Sequence, residues 1–469
     1  MLLKKNKRKI WLALLLATLI LEGCSTTGSN QKNQMQVKPV QNDSITCLEA
    51  EPILDYVVPT VMPSILVNQM GYEVGTVKIA LVTGERLPTQ FHLVDSETED
   101  IVFTGNLKLK NFDTDTRIYT GYADFSAFSE EGSYYIECDI VGRSYGFSIQ
   151  KDIYQELMTE CIKSLEKGRG NLTKEDMIQV CDSLSVLLLS YELYGTVYDR
   201  QIQESHLPKL MEEVKLYVEQ LIGFQDMTTG AVMNGETPLY EETAWLAAVL
   251  AKFSYSYQKF DSVYANACLQ ASDKAWKYLE KKDTDMEDSL LFYGAAELYR
   301  ATGKYMYHAS VKTLGANIPR IQVDEAQTFG TLTYASTKRK VDVDLCGSLL
   351  SVLLNRAEMI AEQAQQNVFG IGCSIQEESL EEILWDAVIM SSMDYVITNN
   401  EYATIIQNFQ NYIAGENESA ENYIQFQEDT QANLGDRKEE NRNKIGSDYM
   451  NTARYIMILS EIMSHEQEE

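Results

Sequence analysis

Acidic side chains at near-alternate positions mark the stretch DTDMEDS, Asp283 to Ser289, and such spacing can gather oxygen ligands around Ca²⁺. The stretch lacks the sixth-position glycine and the closing glutamate of a helix–loop–helix calcium loop, so a solvated turn between helices fits it better. Histidine is scarce: His92, His206, His308 and His465 are the four in the chain. His92 falls within strand-like alternation, where a half-exposed sheet residue is expected. The other three fall in a loop, a helix and the tail, positions that suggest no shared site. Seven cysteines follow Cys24, namely Cys47, Cys138, Cys161, Cys181, Cys268, Cys346 and Cys373. They are scattered singly with no C-x-x-C, so no zinc site is expected among them, and an odd number cannot all pair. Small apolar core residues are what they resemble.

Cys24 has its own context. Five basic residues precede an apolar run from Ile10 to Leu21, and Leu21-Glu22-Gly23-Cys24 then resembles the bacterial lipobox, in which the cysteine is acylated and becomes the N-terminus. Residues 1–23 are thus expected to be a lipoprotein signal peptide, too short for a spanning helix. Residues 24–60 are polar and aperiodic and read as a disordered tether with a reach of about 30 Å. The chain is expected on the extracytoplasmic side of a bacterial membrane, held by lipid on Cys24 and not inserted. With those 23 residues removed, 35 basic residues face 68 acidic ones, a net charge of −33. Such a field repels nucleic acid and anionic lipid but leaves a neutral polysaccharide unaffected.

Two patterns of hydrophobicity follow. From residue 61 to residue 150, segments such as SILVNQMGY, VKIALVT, TQFHLVD, DIVFTGN and GSYYIECD alternate with period two and are separated by turn residues. About seven short strands in fewer than a hundred residues predict an immunoglobulin-like β-sandwich. From residue 151 to residue 469 the period is helical, in segments such as CDSLSVLLLSYELYG, ETAWLAAVLAKFSYSYQ and SLEEILWDAVIMSSMDYVITN. Several end at glycine or asparagine, as at Tyr194-Gly195 and Thr302-Gly303. About eleven helices joined by short turns predict an all-α (α/α)₆ toroid, and no βαβ alternation competes with it.

ILVNQMGY, FHLVD and ADFSAFSEEGSYYIE resemble the immunoglobulin-like domain that precedes many glycoside hydrolase family 9 catalytic domains. LLLSYELYG, EVKLYVEQLIGFQDMTTGAV, ETAWLAAVLAKFSYSYQKFD, AWKYLEK, AAELYRATGKYMYH and FQNYIAGEN are similar, in order, to that catalytic domain. The resemblance covers nearly all of the chain from Ile65 onward. It implies a cellulase-like protein whose relatives cut β-1,4-glucan with inversion, using a carboxylate base and a carboxylic acid about 6.5–9.5 Å apart.

The residues that the family uses for this are eroded. The base comes from an aspartate pair in a D-A-G-D loop, but GRGNLTKED stands here, with Asp176 as a displaced candidate. The acid is a glutamate in an N-E-x-x-I pattern, but IGSDYMNTARYI places Asp448 there, with Arg454 where an asparagine is usual. Both aspartates also suit helix starts. The P-H-H-R and W-G-S-N stretches are absent. Tyr240, Trp245, Phe253, Tyr255, Tyr257, Phe292, Tyr293, Tyr299, Tyr305 and Tyr307 could stack on sugar rings, yet their helical spacing assigns most to the core. The expectation is a catalytically degenerate scaffold that binds a polysaccharide such as β-glucan, or a partner. The alternative is an active O-glycosyl hydrolase with Asp176 and Asp448 as relocated carboxylates. Its substrate-binding residues are unknown, and no cofactor is expected beyond the Ca²⁺ candidate.

Overall fold

The computed structural model describes residues 62–114, 116–199, 207–281, 286–320, 323–398, 400–426 and 444–465. The chain divides into two compact units, one of residues 62–153 with 411–422, the other of residues 154–410 with 423–465. Cys24, Cys47, His206 and the acids Asp283 and Asp285 lie outside the described residues.

The first unit is a β-sandwich of ten strands: β1 (Ile65–Leu66), β2 (Tyr72–Glu73), β3 (Ile79–Gly84), β4 (Gln90–Asp95), β5 (Ile101–Asn106), β6 (Lys108–Phe112), β7 (Tyr119–Asp124), β8 (Gly132–Cys138), β9 (Gly142–Arg143) and β10 (Phe147–Gln150). One sheet runs β1-β3-β7-β6 and the other β2-β10-β8-β4-β5, with β9 on β8. Period-two alternation turns Ala80, Val82, Phe91, Leu93, Ala123 and Ile136 inward. Tyr72 packs edge-on against Phe125 and Phe147, each at 5.1 Å between ring centroids. The strand count exceeds the expected seven because β1, β2 and β9 are two-residue pairings that carry too little alternation to be read. His92 sits half-buried on β4 with Nδ1 2.9 Å from the Thr104 hydroxyl, the sheet role expected of it.

ILVNQMGY forms a turn that needs its particular residues. Asn68 Oδ1 accepts the N–H groups of Met70 and Gly71, and Gly71 adopts φ +111°, where a Cβ would meet Ser148 and Ile153. Asn68 Nδ2 donates to Asn411, and Gln69 donates its backbone and side-chain N–H groups to the carbonyls of Ala414 and Ala420.

The second unit is an (α/α)₆ toroid. Twelve helices are present among the described residues: α1 (Ile153–Gly168), α2 (Met177–Asp199), α3 (Lys209–Phe224), α4 (Tyr240–Tyr257), α5 (Ser262–Leu279), α6 (Asp288–Thr302), α7 (Tyr305–Asn317), α8 (Glu325–Ser336), α9 (Val343–Gln366), α10 (Leu380–Ile397), α11 (Ala403–Ile413) and α12 (Tyr449–His465). The even-numbered helices are buried almost all round and form the inner ring, as a helix apolar on every side must. Contacts run around that ring. Tyr198 of α2 meets Ser460 of α12 at 2.5 Å, Trp245 of α4 meets Tyr293 of α6, Tyr293 meets Phe329 of α8, and Phe329 meets Trp385 of α10. Gly303 ends α6 in the left-handed region at φ +70°, donating to the Tyr299 carbonyl, as its sequence predicts. Gly195 does not end α2: the helix kinks at Tyr194 (φ −114°, ψ 28°) and continues to Asp199, because tertiary packing keeps Val197 and Tyr198 buried. Cys138, Cys161, Cys181, Cys268 and Cys346 are buried free thiols. Among the described residues no helix is long and apolar enough to cross a membrane.

Candidate functional site

The inner helices are mutually parallel around the ring, so their first turns converge at one end. There they line a cleft of about 540 Å³. Ile178, Gln179 and Asp182 come from α2, Glu241 and Trp245 from α4, Ser289 and Leu290 from α6, Glu325 and Ala326 from α8, Glu381 from α10 and Met450 from α12, with Met286, Glu287 and Asp324 just before α6 and α8. Unpaired N–H groups and the positive ends of six helix dipoles meet at this mouth, which favours acidic side chains. Among the described residues six carboxylates line it: Asp182, Glu241, Glu287, Asp324, Glu325 and Glu381. Asp324 is occupied as the cap of α8, accepting the Gln327 N–H at 2.6 Å. Burial, then the neighbouring Glu242 and Glu287, raises the Glu241 carboxyl.

Arg454 of α12 is fully buried beside this cleft. Its Nη2 lies 3.4 Å from Asp182 Oδ2 and 3.2 Å from Glu325 Oε1, and its Nη1 lies 2.8 Å from the Glu381 carbonyl and 3.7 Å from Glu381 Oε1. The guanidinium also sits 5.1 Å from the centre of the Trp385 ring. Asp182 is 3 % exposed, and its Oδ1 has no hydrogen-bond partner among the described residues. Burial pushes the Asp182 carboxyl up to about 7 and Arg454 only partly opposes this, so near neutral pH it can hold a proton and give it up.

Asp176 and Asp448 are employed locally. Asp176 Oδ2 accepts both the N–H and the hydroxyl of Thr173, each at 2.8 Å, just ahead of α2. Asp448 Oδ1 accepts the Asn451 N–H at 2.8 Å, capping α12. Both carboxylates flank Tyr449, whose phenol is raised by burial and then by these two charges, and whose hydroxyl donates to the Gly168 carbonyl. Burial raises Asp448 as well. Neither lines the 540 Å³ cleft; Asp448 lines a separate cavity of about 170 Å³ with Ser164, Lys167 and Tyr449. The structure therefore brings the two together around a tyrosine next to the cleft, since Ile178 and Met450, two residues further along each helix, do line it.

Most of the aromatic residues proposed for stacking are core. Phe253, Phe292, Tyr293 and Tyr307 are fully buried, and Trp245, the aromatic that lines the cleft, is only 7 % exposed. His308 stacks on Tyr299 at 4.5 Å and bonds to the Tyr334 hydroxyl, a packing role. Glu287 from DTDMEDS precedes α6 at the cleft mouth. Asp182 is a residue that spacing does not single out, although a carboxylate set just before the apolar run LSVLLLS was its signal.

Residues 60–143 match the family described as the cellulase N-terminal Ig-like domain, and residues 183–442 match glycosyl hydrolase family 9. A cellodextrinase of Butyrivibrio fibrisolvens is 23 % identical over 77 % of this chain and 84 % of its own length. Endoglucanase D of Acetivibrio thermocellus is 19 % identical over 71 % of this chain and 68 % of its own. Among solved structures, a metagenome-derived family 9 endoglucanase superposes with a TM-score of 0.70 at 17 % identity, covering 85 % of this chain and 99 % of that one. A thermostable endoglucanase from Alicyclobacillus acidocaldarius gives 0.68 at 17 % identity, with the same coverage of each chain.

Proposed function

Because the chain belongs to glycosyl hydrolase family 9, we propose that its helical unit holds a β-linked glucan or a similar polysaccharide in the cleft and cuts it far more slowly than a working inverting pair would. We further propose that it acts outside the cytoplasm, tethered to the bacterial membrane by lipid on Cys24. The observation that carries the first part is the employment of Asp176 and Asp448. Each carboxylate accepts a local hydrogen bond at the start of a helix, and neither lines the cleft. An inverting site needs one free carboxylate to activate water and one acid for the leaving oxygen, on opposite faces of the scissile bond. The names of the relatives, cellodextrinase and endoglucanase, supply the ligand class. The basic–apolar–Leu21-Glu22-Gly23-Cys24 series supplies the anchor.

One observation favours a second reading, hydrolysis by relocated carboxylates. Asp182 is a carboxyl raised to about 7 within the cleft, the range in which a general acid works best. Calorimetric titration of the purified chain with cello-oligosaccharides, followed by a reducing-end assay, separates the readings. Saturable binding with little release supports the binding role. Brisk release that is abolished by Asp176→Asn, Asp448→Asn or Asp182→Asn overturns it in favour of hydrolysis. Absence of any binding overturns both and leaves a structural envelope role. For the anchor, Cys24→Ala should move the protein from the detergent-soluble membrane fraction to the aqueous one, and unchanged partitioning refutes lipidation.

A further inference from the structure

We propose that Asp394, Glu461 and His465 bind a first-row divalent metal ion, zinc by the character of the donors, at the end of the inner ring opposite the cleft. The sequence provides Glu461 and His465 four apart on α12, which puts both side chains on one helix face. Asp394 comes from the last turn of the neighbouring α10. Thirteen residues separate Asp394 from Glu381 at the cleft mouth, about 20 Å along the helix. One ligand atom from each of the three residues lies within 4.8 Å of the others. His465 Nε2 is 2.6 Å from Glu461 Oε1 and 3.8 Å from Asp394 Oδ2.

Burial and an unused oxygen call for more than the imidazole. The Asp394 and Glu461 side chains are 4 % and 1 % exposed, at the C-terminal ends of two helices, where the macrodipole already disfavours anions. Glu461 Oε2 is buried with no hydrogen-bond partner among the described residues, so one oxygen of the group remains to be used. Asp394 Oδ1 accepts the Tyr402 N–H at 2.8 Å, which fixes the carboxylate with Oδ2 toward the cluster, the outer support that metal ligands usually have. The His465 side chain is 28 % exposed and leaves a way in. One imidazole nitrogen with two carboxylates is a borderline donor set that suits zinc and its first-row neighbours and is too soft for Ca²⁺. Ligand atoms around such an ion stand about 3.4 Å apart, so binding would replace the imidazole–carboxylate hydrogen bond after small shifts and release any proton on the imidazole. The ion would tie α12 to α10 at that end of the ring.

The test uses the purified chain, stripped with chelator and titrated with Zn²⁺ by calorimetry, with Co²⁺ as a visible-absorption probe. One Zn²⁺ per chain, a Co²⁺ spectrum of low-coordinate nitrogen–oxygen type and a metal-dependent rise in melting temperature are expected. His465→Ala, at a partly exposed position, should weaken Zn²⁺ at least 100-fold and abolish the rise while the far-UV dichroism of the metal-free protein stays unchanged. Wild-type binding no tighter than that of His465→Ala, or no stoichiometric binding, overturns the proposal and leaves a plain imidazole–carboxylate ion pair. Where His465→Ala does not fold, His465→Gln gives the same reading.

Discussion

At the cleft end of the inner ring, Arg454 stands against Asp182, Glu325 and Glu381; in the C-terminal halves of α2, α4 and α6, Lys252 and Arg300 stand against Glu192 and Glu297. Asp182 and Glu192 are both largely withdrawn from water, yet these two carboxyls respond in opposite directions. Burial pushes Asp182 up to about 7. Burial also works to raise Glu192, but Arg300 at 2.5 Å and Lys252 at 3.5 Å outweigh it and hold the group down at about 2. Glu297 is fully buried and further satisfied by hydrogen bonds from Tyr255 at 2.7 Å and Thr333 at 2.6 Å. The lesson is that burial alone does not set the charge state. One end pairs two cations with two carboxylates and fills the remaining lone pairs; the other leaves three carboxylates to share one guanidinium. A balanced cluster fastens helices together, whereas an acid-rich cleft with an unpartnered oxygen is open to ligand or proton.

The largest expected effect comes from removing Arg454, the one cation of that cluster among the described residues. Arg454→Met leaves three carboxylates without their shared partner, and stability should fall by about 3–5 kcal/mol in urea unfolding. Lys252→Met at the balanced end should cost less, about 2 kcal/mol, because Arg300 still holds Glu192 and two hydroxyls still hold Glu297. Equal losses at the two positions would break the comparison.

The pH dependence sharpens it. Asp182 has a folded-state value near 7 against about 3.9 unfolded, so its contribution is fully present below about 4 and is lost as pH rises through 7. Glu192 is shifted the other way, so its contribution is present above about 4.3 and is lost only as pH falls through 2. Between pH 5 and pH 8 the cleft end should therefore weaken while the balanced end does not respond. Glu416 in the sandwich unit, pushed by burial to about 8, adds a similar slope, so the informative quantity is a difference between proteins. Asp182→Asn should flatten the wild-type decline by up to about 1.4 kcal/mol per pH unit. An unaltered slope would remove Asp182 from the role of proton holder.

The fold was legible because both of its periods are strong. Alternation in GSYYIECD and VKIALVT, and all-round apolarity in CDSLSVLLLSYELY and EEILWDAVIMSSMDYVI, lead directly to a sandwich and to inner-ring helices. The capping role of Asp448 was equally local, and the hydrogen bond to Asn451 bears it out. The clusters were not legible, because the ring brings together residues far apart in sequence: Asp182 and Arg454 are 272 residues apart. Spacing shows Arg454 only as a residue in an unusual place; the geometry gives it three acidic neighbours. The sequence places His465 in the tail, whereas it forms the last turn of α12 against Glu461. A pair four apart was visible there, but the third ligand lies on another helix.

The smallest expected effect tests the comparison from its weak side. Glu381 is an excess carboxylate: its side chain is 54 % exposed and its Oε1 lies 3.7 Å from Arg454, beyond hydrogen-bond distance. The contact that matters to the guanidinium is the Glu381 backbone carbonyl at 2.8 Å, which survives any side-chain substitution. Glu381→Gln should thus change stability by no more than about 0.5 kcal/mol, as exposed ion pairs generally do. It relieves one of three like charges around Arg454, so any change should be toward greater stability, more so at low salt, where repulsion is least screened. Glu192→Gln gives up a 2.5 Å bond to Arg300 in a cluster with no surplus acid, and should lose about 1.5–3 kcal/mol. Paired unfolding curves of the two variants at low and high salt decide the matter. A clear loss for Glu381→Gln would mean that the cleft end, too, needs every carboxylate it carries.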